Sequence, residues 1–388
     1  MKHAYLSRRA LDGLKHYKYK PGGYTILDVI HAPIWNGITD MLPMWLAPNL
    51  ITLTGLMGVI GSYLISAYYL PDFVGQDTPR WVFALNALAT VVYVNLDCID
   101  GKQARRTRSS SPLGQLFDHG CDALSVHLLL GNTQVAIGAA CGPLTGFMQF
   151  VLMVTWILAH WEEYHTGNLL YGNGLCGVLE ANYALATMSA VSAAFGVGVW
   201  DTPLSTLLPF LPACVTQPYV LRHGFYVVAI LGCVPLISGQ LWRVLTSDPK
   251  ALPKEEVGHK ELGRDAQVRQ LALLGGLMLL GLWWQSDPGA GAAVGQCRVA
   301  SHTYGVMYAL VASQLIMTHM AKEPFRPAHW AYWVVAAGTL NAYTRALPVL
   351  PFSAALAAGA GATYLHYVWC VVEQVCVHLG IKCLTIKH

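Results

Sequence analysis

Stretches of about 20 mostly apolar residues recur along the sequence, separated by proline, glycine and charged residues. An α-helix needs a stretch of this length to cross the hydrocarbon core of a bilayer, where backbone polar groups must be bonded within the protein. We therefore predict an all-α integral membrane protein with about ten transmembrane helices. The predicted spans are 47–70, 81–96, 123–140, 144–160, 182–200, 224–245, 271–285, 304–320, 328–343 and 353–379.

Composition excludes several other classes of protein. Hydrophobic residues make up 54% of the 388 residues and charged residues 12%, whereas soluble domains contain about 25% charged residues. The mean hydropathy is +0.43. These values exclude a soluble globular domain, a disordered chain and a nucleic-acid-binding module. The ten cysteines lie mostly in or beside apolar stretches without C-x-x-C spacing, so we expect small apolar side chains rather than a disulfide framework or zinc site.

The positions of lysine and arginine predict the orientation of the chain. If the N-terminus is cytosolic, ten spans place all 24 of these residues on the cytosolic side except four. Such an excess marks the cytoplasmic face of a membrane protein. Both termini are therefore predicted to be cytosolic. The four exceptions are Arg80, Arg222, Arg298 and Arg345.

This topology suggests three parts of the chain. Residues 1–44 form a cytosolic or interfacial segment, residues 45–200 a catalytic core, and residues 201–388 the remaining helices of the same domain. In the first part we expect Tyr17, Tyr19 and Trp35 to lie at the lipid headgroups or, equally, in a plain solvated arm. In the third part, the cytosolic loop 248–267 is predicted to expose its charges to solvent.

Four aspartates interrupt the apolar pattern where one predicted span ends and the next begins. Asp97 and Asp100 are three residues apart, and Asp118 and Asp122 are four apart, so each pair shares a helix face. Ionisable groups in a membrane cost about 2.5 to 3.5 kcal/mol each and are rare without a function. Two packed helices would bring the carboxylates together, and their repulsion predicts bound Mg²⁺ or Mn²⁺, one ion or two.

Helix caps or ion pairs are the structural alternative for these aspartates. One or two carboxylates could be used in this way, but the spacing makes it improbable for all four. The candidate partners are Lys102, Arg105, Arg106 and Arg108.

The pattern D-x2-D-G-x2-A-R-x8-G-x3-D-x3-D is matched in full over residues 97–122. It resembles the signature of the CDP-alcohol phosphotransferase family. The flanking stretches 14–19, 43–55 and 161–166 resemble the choline and ethanolamine phosphotransferase branch, and the detailed resemblance extends over roughly the first 180 residues. The family resemblance implies that the four aspartates bind metal ions.

The same resemblance implies roles for further residues. Gly101, Ala104 and Arg105 match the stretch that takes the CDP moiety, in which a small residue allows close approach and an arginine binds phosphate oxygens. Asn49 matches a position that contacts the nucleotide in this branch. His119 matches the proposed proton acceptor, and a histidine suits that role better than a metal-bound carboxylate. The last aspartate acts as the base in parts of the family, so Asp122 is the alternative.

A second group of aromatic and acidic residues lies at 160–164 and at Glu180. An aromatic face with a carboxylate suits an ammonium head group. The competing and favoured interpretation is an interfacial belt of Trp and Tyr with solvated glutamates.

The function implied by the resemblance is transfer of phosphoethanolamine or phosphocholine from CDP-ethanolamine or CDP-choline to diacylglycerol. The products are phosphatidylethanolamine or phosphatidylcholine and CMP, made in the endoplasmic reticulum or Golgi membrane at a site facing the cytosol. The head group and the oligomeric state, a homodimer included, stay open. A CDP-diacylglycerol-dependent phosphatidyltransferase of the same family is one alternative. An ion-coupled transporter is another, and it would spread acidic residues along several spans.

Overall fold

The computed structural model describes residues 5–75, 78–248 and 252–386. Residues 1–4 and 387–388, at the termini that we expect in the cytosol, lie outside this part. The helices of the described part are α1 Arg8–Leu14, α2 Ile26–Met41, α3 Pro48–Tyr69, α4 Arg80–Arg106, α5 Pro112–Ala136, α6 Pro143–Thr166, α7 Val178–Phe195, α8 Leu204–Leu207, α9 Ala213–Thr216, α10 Leu221–Thr246, α11 Lys254–Val257, α12 Arg264–Gln285, α13 Gln296–Ala321, α14 His329–Thr344 and α15 Val349–Leu379.

Two shorter kinds of element accompany these helices. A 3-10 helix covers Val197–Asp201. The strands β1 Pro21–Gly22 and β2 Leu169–Leu170 pair in parallel, with Pro21 opposite Leu169. This two-residue pairing ties the N-terminal segment to the turn after α6, within an otherwise helical fold.

Six helices of the described part are long and apolar enough to cross a membrane: α3, α4, α6, α10, α12 and α15. An all-α membrane protein is thereby confirmed, whereas the count of ten spans and the cytosolic termini stay predictions. The other four expected spans correspond to α5, α7, α13 and α14. Nearly every residue of α13 is buried, and it packs against α5, α6, α12, α14 and α15. The surrounding helices therefore separate most of α13 from lipid.

Both aspartate pairs lie within helices. Helix α4 continues beyond the predicted end at residue 96 as far as Arg106, and α5 begins at Pro112, with the Ser111 side chain accepting a hydrogen bond from Gly114 N. Buried Gln103 on α4 donates to the carbonyls of Pro43 and Leu46. These bonds hold the chain that leads into α3 against the end of α4.

The expectation of a plain solvated N-terminal arm is wrong, whereas a position of this segment at the lipid headgroups stays a prediction. The Tyr17 hydroxyl donates to Glu163 Oε1 at 3.3 Å, and the Tyr19 ring lies edge-on to His119. Trp35 is 5% exposed and donates to Asn95 Oδ1. Each side chain finds a polar or aromatic partner in the helix bundle, so the segment packs against the core.

The prediction of a solvated loop over residues 248–267 is wrong in part. Helix α12 already begins at Arg264. Glu256 and Lys260 are 9% and 7% exposed. Lys260 Nζ donates to the carbonyl of Tyr164 at 3.3 Å. Residues 249–251 lie outside the described part, and the loop from residue 252 onward folds over the end of α6 because a polar cluster there offers partners for its charges.

Cys141 and Cys297 form a disulfide with a Cα–Cα distance of 6.4 Å, which corrects the expectation of unpaired apolar cysteines. It links the loop before α6 to the start of α13. Since α5 carries its aspartates near its first residue and Cys141 lies beyond its last, the bundle has an aspartate end and an opposite disulfide end. The four exceptional arginines all lie at the disulfide end. They bond to Ala194 O, Gly138 O, Leu70 O and the Asp287 carboxylate.

Candidate active site

Three of the four predicted metal ligands meet where α4 packs beside α5. One carboxylate oxygen each from Asp97, Asp100 and Asp118 lie within 4.8 Å of one another. The i,i+3 spacing on α4 turns Asp97 and Asp100 toward α5, where Asp118 lies in the second turn of the helix. Asp100 is 6% exposed, so the carboxylates form an acidic pocket at the edge of the bundle.

The fourth aspartate has a protein partner. The Tyr93 hydroxyl donates to Asp122 Oδ1 at 2.5 Å. Tyr93 precedes Asp97 by one helical turn and therefore lies on the same face of α4. Asp122 borders the group of three carboxylates and is oriented by this bond.

A second hydroxyl orients Asp100. The Thr52 side chain on α3 donates to Asp100 Oδ2. Thr52 follows Asn49 by three residues, so both side chains lie on one face of α3. We did not identify Thr52 or Tyr93 from the sequence, although helical spacing from Asn49 and Asp97 was an available signal for each.

The residues present fit a divalent cation. Within the described residues, Asp97 Oδ1 and Asp118 Oδ1 are buried and have no hydrogen-bond partner. Buried polar atoms are normally bonded, and hard divalent cations prefer carboxylate oxygens. Two of the candidate ion-pair partners are engaged elsewhere. Lys102 donates to Asn36 Oδ1, and Arg106 donates to the carbonyls of Leu42 and Asp40.

His119 lies on α5 next to Asp118 and is 4% exposed. Its Nε2 atom is 2.6 Å from Gln115 Nε2 and 3.9 Å from Asp118 Oδ2. The ring centroid of His160 is 5.2 Å away. The predicted proton acceptor is therefore adjacent to the acidic pocket and is held by side chains from two helices.

The predicted nucleotide-binding residues lie around the same pocket. A methyl group added at Gly101 would make ordinary van der Waals contact with Arg105 Nη1 at 3.6 Å. The fold itself therefore does not require glycine there, and the contacted atom is the end of a flexible side chain that can move aside for a ligand. The exposed Arg105 follows Gly101 by one turn.

Asn49 at the start of α3 contacts the C-terminal segment. Its Nδ2 atom donates to the carbonyl of Cys383 at 2.9 Å. A Cβ atom at Gly114 would lie 3.6 Å from Asn49 Oδ1. The segment after α15 thus reaches the rim of the pocket, a contact that the spacing of residues did not predict.

The aromatic and acidic residues at 160–164 are buried. Trp161 donates to Gln270 Oε1, Glu162 pairs with Arg243, and the Tyr164 hydroxyl donates to the Glu323 carbonyl. The interpretation as an interfacial belt with solvated glutamates is wrong, because α10, α12 and the segment after α13 cover these side chains. An ammonium head group near Glu180 stays a prediction.

Comparison with known proteins agrees with this geometry. A family model described as CDP-alcohol phosphatidyltransferase matches residues 45–162. The chain is 30% identical over 415 aligned residues to the uncharacterized CDP-alcohol phosphatidyltransferase class-I family protein 3 of Dictyostelium discoideum, covering 99% of each chain. It is 38% identical over 203 residues to cholinephosphotransferase 1 of Danio rerio, covering 52% of each chain. With cholinephosphotransferase 1 of Homo sapiens it shares 35% identity over 239 residues, covering 56% of this chain and 57% of the relative.

The Dictyostelium relative is matched over nearly its whole length, and the family match covers all four aspartates. The chain therefore belongs to the CDP-alcohol phosphatidyltransferase family and is a phosphotransferase enzyme.

Proposed function

We propose that this enzyme transfers phosphoethanolamine, phosphocholine or both from the CDP ester to diacylglycerol, releasing CMP. One observation carries the proposal: Asp97, Asp100 and Asp118 meet in a pocket that leaves buried carboxylate oxygens unbonded among the described residues. The alignment of half the chain with cholinephosphotransferase 1 of Danio rerio supports the choice of substrates.

The acidic pocket would hold Mg²⁺ or Mn²⁺, one ion or two, through Asp97, Asp100, Asp118 and Asp122. When bound, such ions neutralise the diphosphate and the charge that develops on departing CMP. Arg105 would bind phosphate oxygens, and the small residue Gly101 would allow their close approach. Asn49 would contact the nucleotide.

The acceptor hydroxyl needs a base, and we assign this role to His119. A ring nitrogen takes the proton as the acceptor oxygen bonds to the phosphorus of the head group. The bond from that phosphorus to CMP breaks, and CMP leaves with the electron pair. The Tyr93 hydroxyl supports this assignment over Asp122, because its hydrogen bond already occupies Oδ1 of that carboxylate.

The aspartate end faces the cytosol in this proposal, in an endoplasmic reticulum or Golgi membrane. The Cys141–Cys297 disulfide at the other end supports this orientation, because disulfides persist in oxidising compartments such as the endoplasmic reticulum lumen. The basic residues Lys102, Arg105 and Arg106 at the aspartate end support it as well.

The test is a transfer assay with the purified full chain in detergent, diacylglycerol and Mg²⁺. Labelled CDP-choline and CDP-ethanolamine are supplied separately, and labelled CDP-diacylglycerol with a soluble alcohol provides a third arm. We expect labelled phospholipid from at least one of the first two, its loss with excess EDTA, and recovery with Mg²⁺ or Mn²⁺. Product in the third arm alone, or full turnover in EDTA, would contradict the proposal.

A further inference from the structure

Glu163 lies one residue beyond the family match and is 2% exposed. Its carboxylate contacts side chains from three parts of the chain. The Tyr17 hydroxyl donates to Oε1 at 3.3 Å, and His319 Nε2 lies 3.4 Å from the same oxygen. His160 Nδ1 lies 3.5 Å from Oε2. A buried carboxylate is costly unless it is paired, so this convergence accounts for the position of Glu163.

His160 connects this carboxylate to the proposed base. It precedes Glu163 by one turn of α6, is 5% exposed, and packs its ring against that of His119. One nitrogen or oxygen each from His119, His160 and Glu163 lie within 4.8 Å of one another. The Trp156 ring, at a centroid distance of 4.4 Å, bounds His160 on another side.

The side chains around Glu163, which we call the Glu163 cluster, are Tyr17, His160 and His319. His319 connects this cluster to the loop before α12. His319 Nδ1 on α13 lies 3.0 Å from Lys260 Nζ in the loop before α12. Burial lowers the pKa of Lys260 to about 8, so near neutral pH its ammonium is still mostly charged and available to this cluster. Residues outside the family match, from the N-terminal segment, the loop before α12 and α13, therefore belong to the group of side chains around Glu163.

We propose that Glu163 is a positioning residue for phosphotransfer and acts through His160 on His119. By binding Tyr17 and His319 as well, it makes the N-terminal segment and α13 part of the support of the base. The inference rests on the proposed role of His119. A displacement of about 1 Å of a reacting group costs about a hundredfold in rate, which sets the scale of the effect.

The first test compares Glu163→Gln with Glu162→Gln. Both carboxylates are buried on α6, but Glu162 pairs with Arg243 of α10 and lies outside the cluster. We expect Glu163→Gln to lower kcat by about ten- to a hundredfold with KM for the CDP-alcohol nearly unchanged, and Glu163→Asp to recover part of the loss. Glu162→Gln is expected to leave kcat unchanged. Wild-type kcat in folded Glu163→Gln would overturn the proposal.

The second test separates positioning from general loss of structure. If Glu163 acts through His119, adding Glu163→Gln to His119→Ala costs no further kcat, because effects of residues that act as a unit are not additive. An equal loss in both backgrounds would overturn the proposal. If His119→Ala alone kept most of its turnover, the proposed function of that residue would fail instead.

A milder variant keeps the idea testable if Glu163→Gln does not fold. Tyr17→Phe removes one hydroxyl from the cluster and keeps the ring in place. We expect a several-fold lower kcat with His119 present and no change in the His119→Ala background. Unchanged kcat in the first background would overturn the proposal.

Discussion

Both ends of the bundle bury aspartates, but the partners of their carboxylates differ. At the disulfide end, Asp287 pairs with Arg345 at 2.6 Å and also accepts a hydrogen bond from Gln296. At the aspartate end, Asp97 and Asp118 each keep one buried oxygen without a hydrogen-bond partner in the described part of the chain. Burial of an aspartate therefore says little about function, whereas a buried carboxylate oxygen without a hydrogen-bond partner indicates a ligand site.

This difference follows from what each end must do. A paired buried charge stabilises one arrangement of helices. Carboxylates that face one another without a cation are repulsive, and such an arrangement is retained where a ligand completes it. We interpret the disulfide end as structural and the aspartate end as the site of chemistry.

The largest expected effect on turnover comes from removing the carboxylate of Asp97 at the aspartate end. Asp97→Asn should lower turnover by about a thousandfold or more while the protein still folds, since charge stabilisation by bound metal is worth several kcal/mol and about 1.4 kcal/mol equals a factor of ten. Turnover and the thermal unfolding midpoint are measured together.

The matched variant Asp287→Asn should show the opposite pattern. Its loss weakens the pair with Arg345, so the unfolding midpoint falls while turnover of the folded protein stays near wild type. Comparable turnover losses in Asp97→Asn and Asp287→Asn would remove the distinction between the two ends.

A smaller effect is expected from the hydroxyl that orients Asp100. Thr52→Val keeps the shape of the side chain but removes a hydrogen bond to a charged group, worth about 1.5 to 3 kcal/mol. Turnover should fall about tenfold. Thr54→Val is the control on the same helix, because the Thr54 hydroxyl is bonded to the carbonyl of Leu50. Equal rates for the two variants would contradict the role of Thr52.

The smallest effect on turnover is expected at the disulfide. Replacing Cys141 and Cys297 together by serine should lower the unfolding midpoint, since native disulfides contribute about 2 to 4 kcal/mol. Turnover at low temperature should stay within about twofold of wild type. An inactive variant with an unchanged midpoint would mean that the disulfide end takes part in the chemistry.

Periodicity predicted the helices that face an apolar environment on one side. The predicted span 47–70 agrees with α3 at Pro48–Tyr69. The i,i+3 and i,i+4 spacing also predicted the shared faces of the aspartates, because that geometry is local to a helix.

Contacts between distant parts of the chain were not predictable in this way. The disulfide joins residues 156 positions apart, and the spacing of cysteines carries no signal for such a pair. Burial of Lys260 depends on His319, which belongs to another helix. Hydropathy identifies a charged stretch, but the partners that neutralise it are set by tertiary packing.

The most direct test of the central claim is a Mn²⁺ titration of the purified protein, with free and bound ion distinguished by electron paramagnetic resonance. We predict that the wild-type protein binds Mn²⁺ in the presence of a CDP-alcohol, that Asp118→Asn loses this binding, and that the Cys141→Ser, Cys297→Ser double variant keeps it. Unchanged Mn²⁺ binding in folded Asp118→Asn would contradict the account.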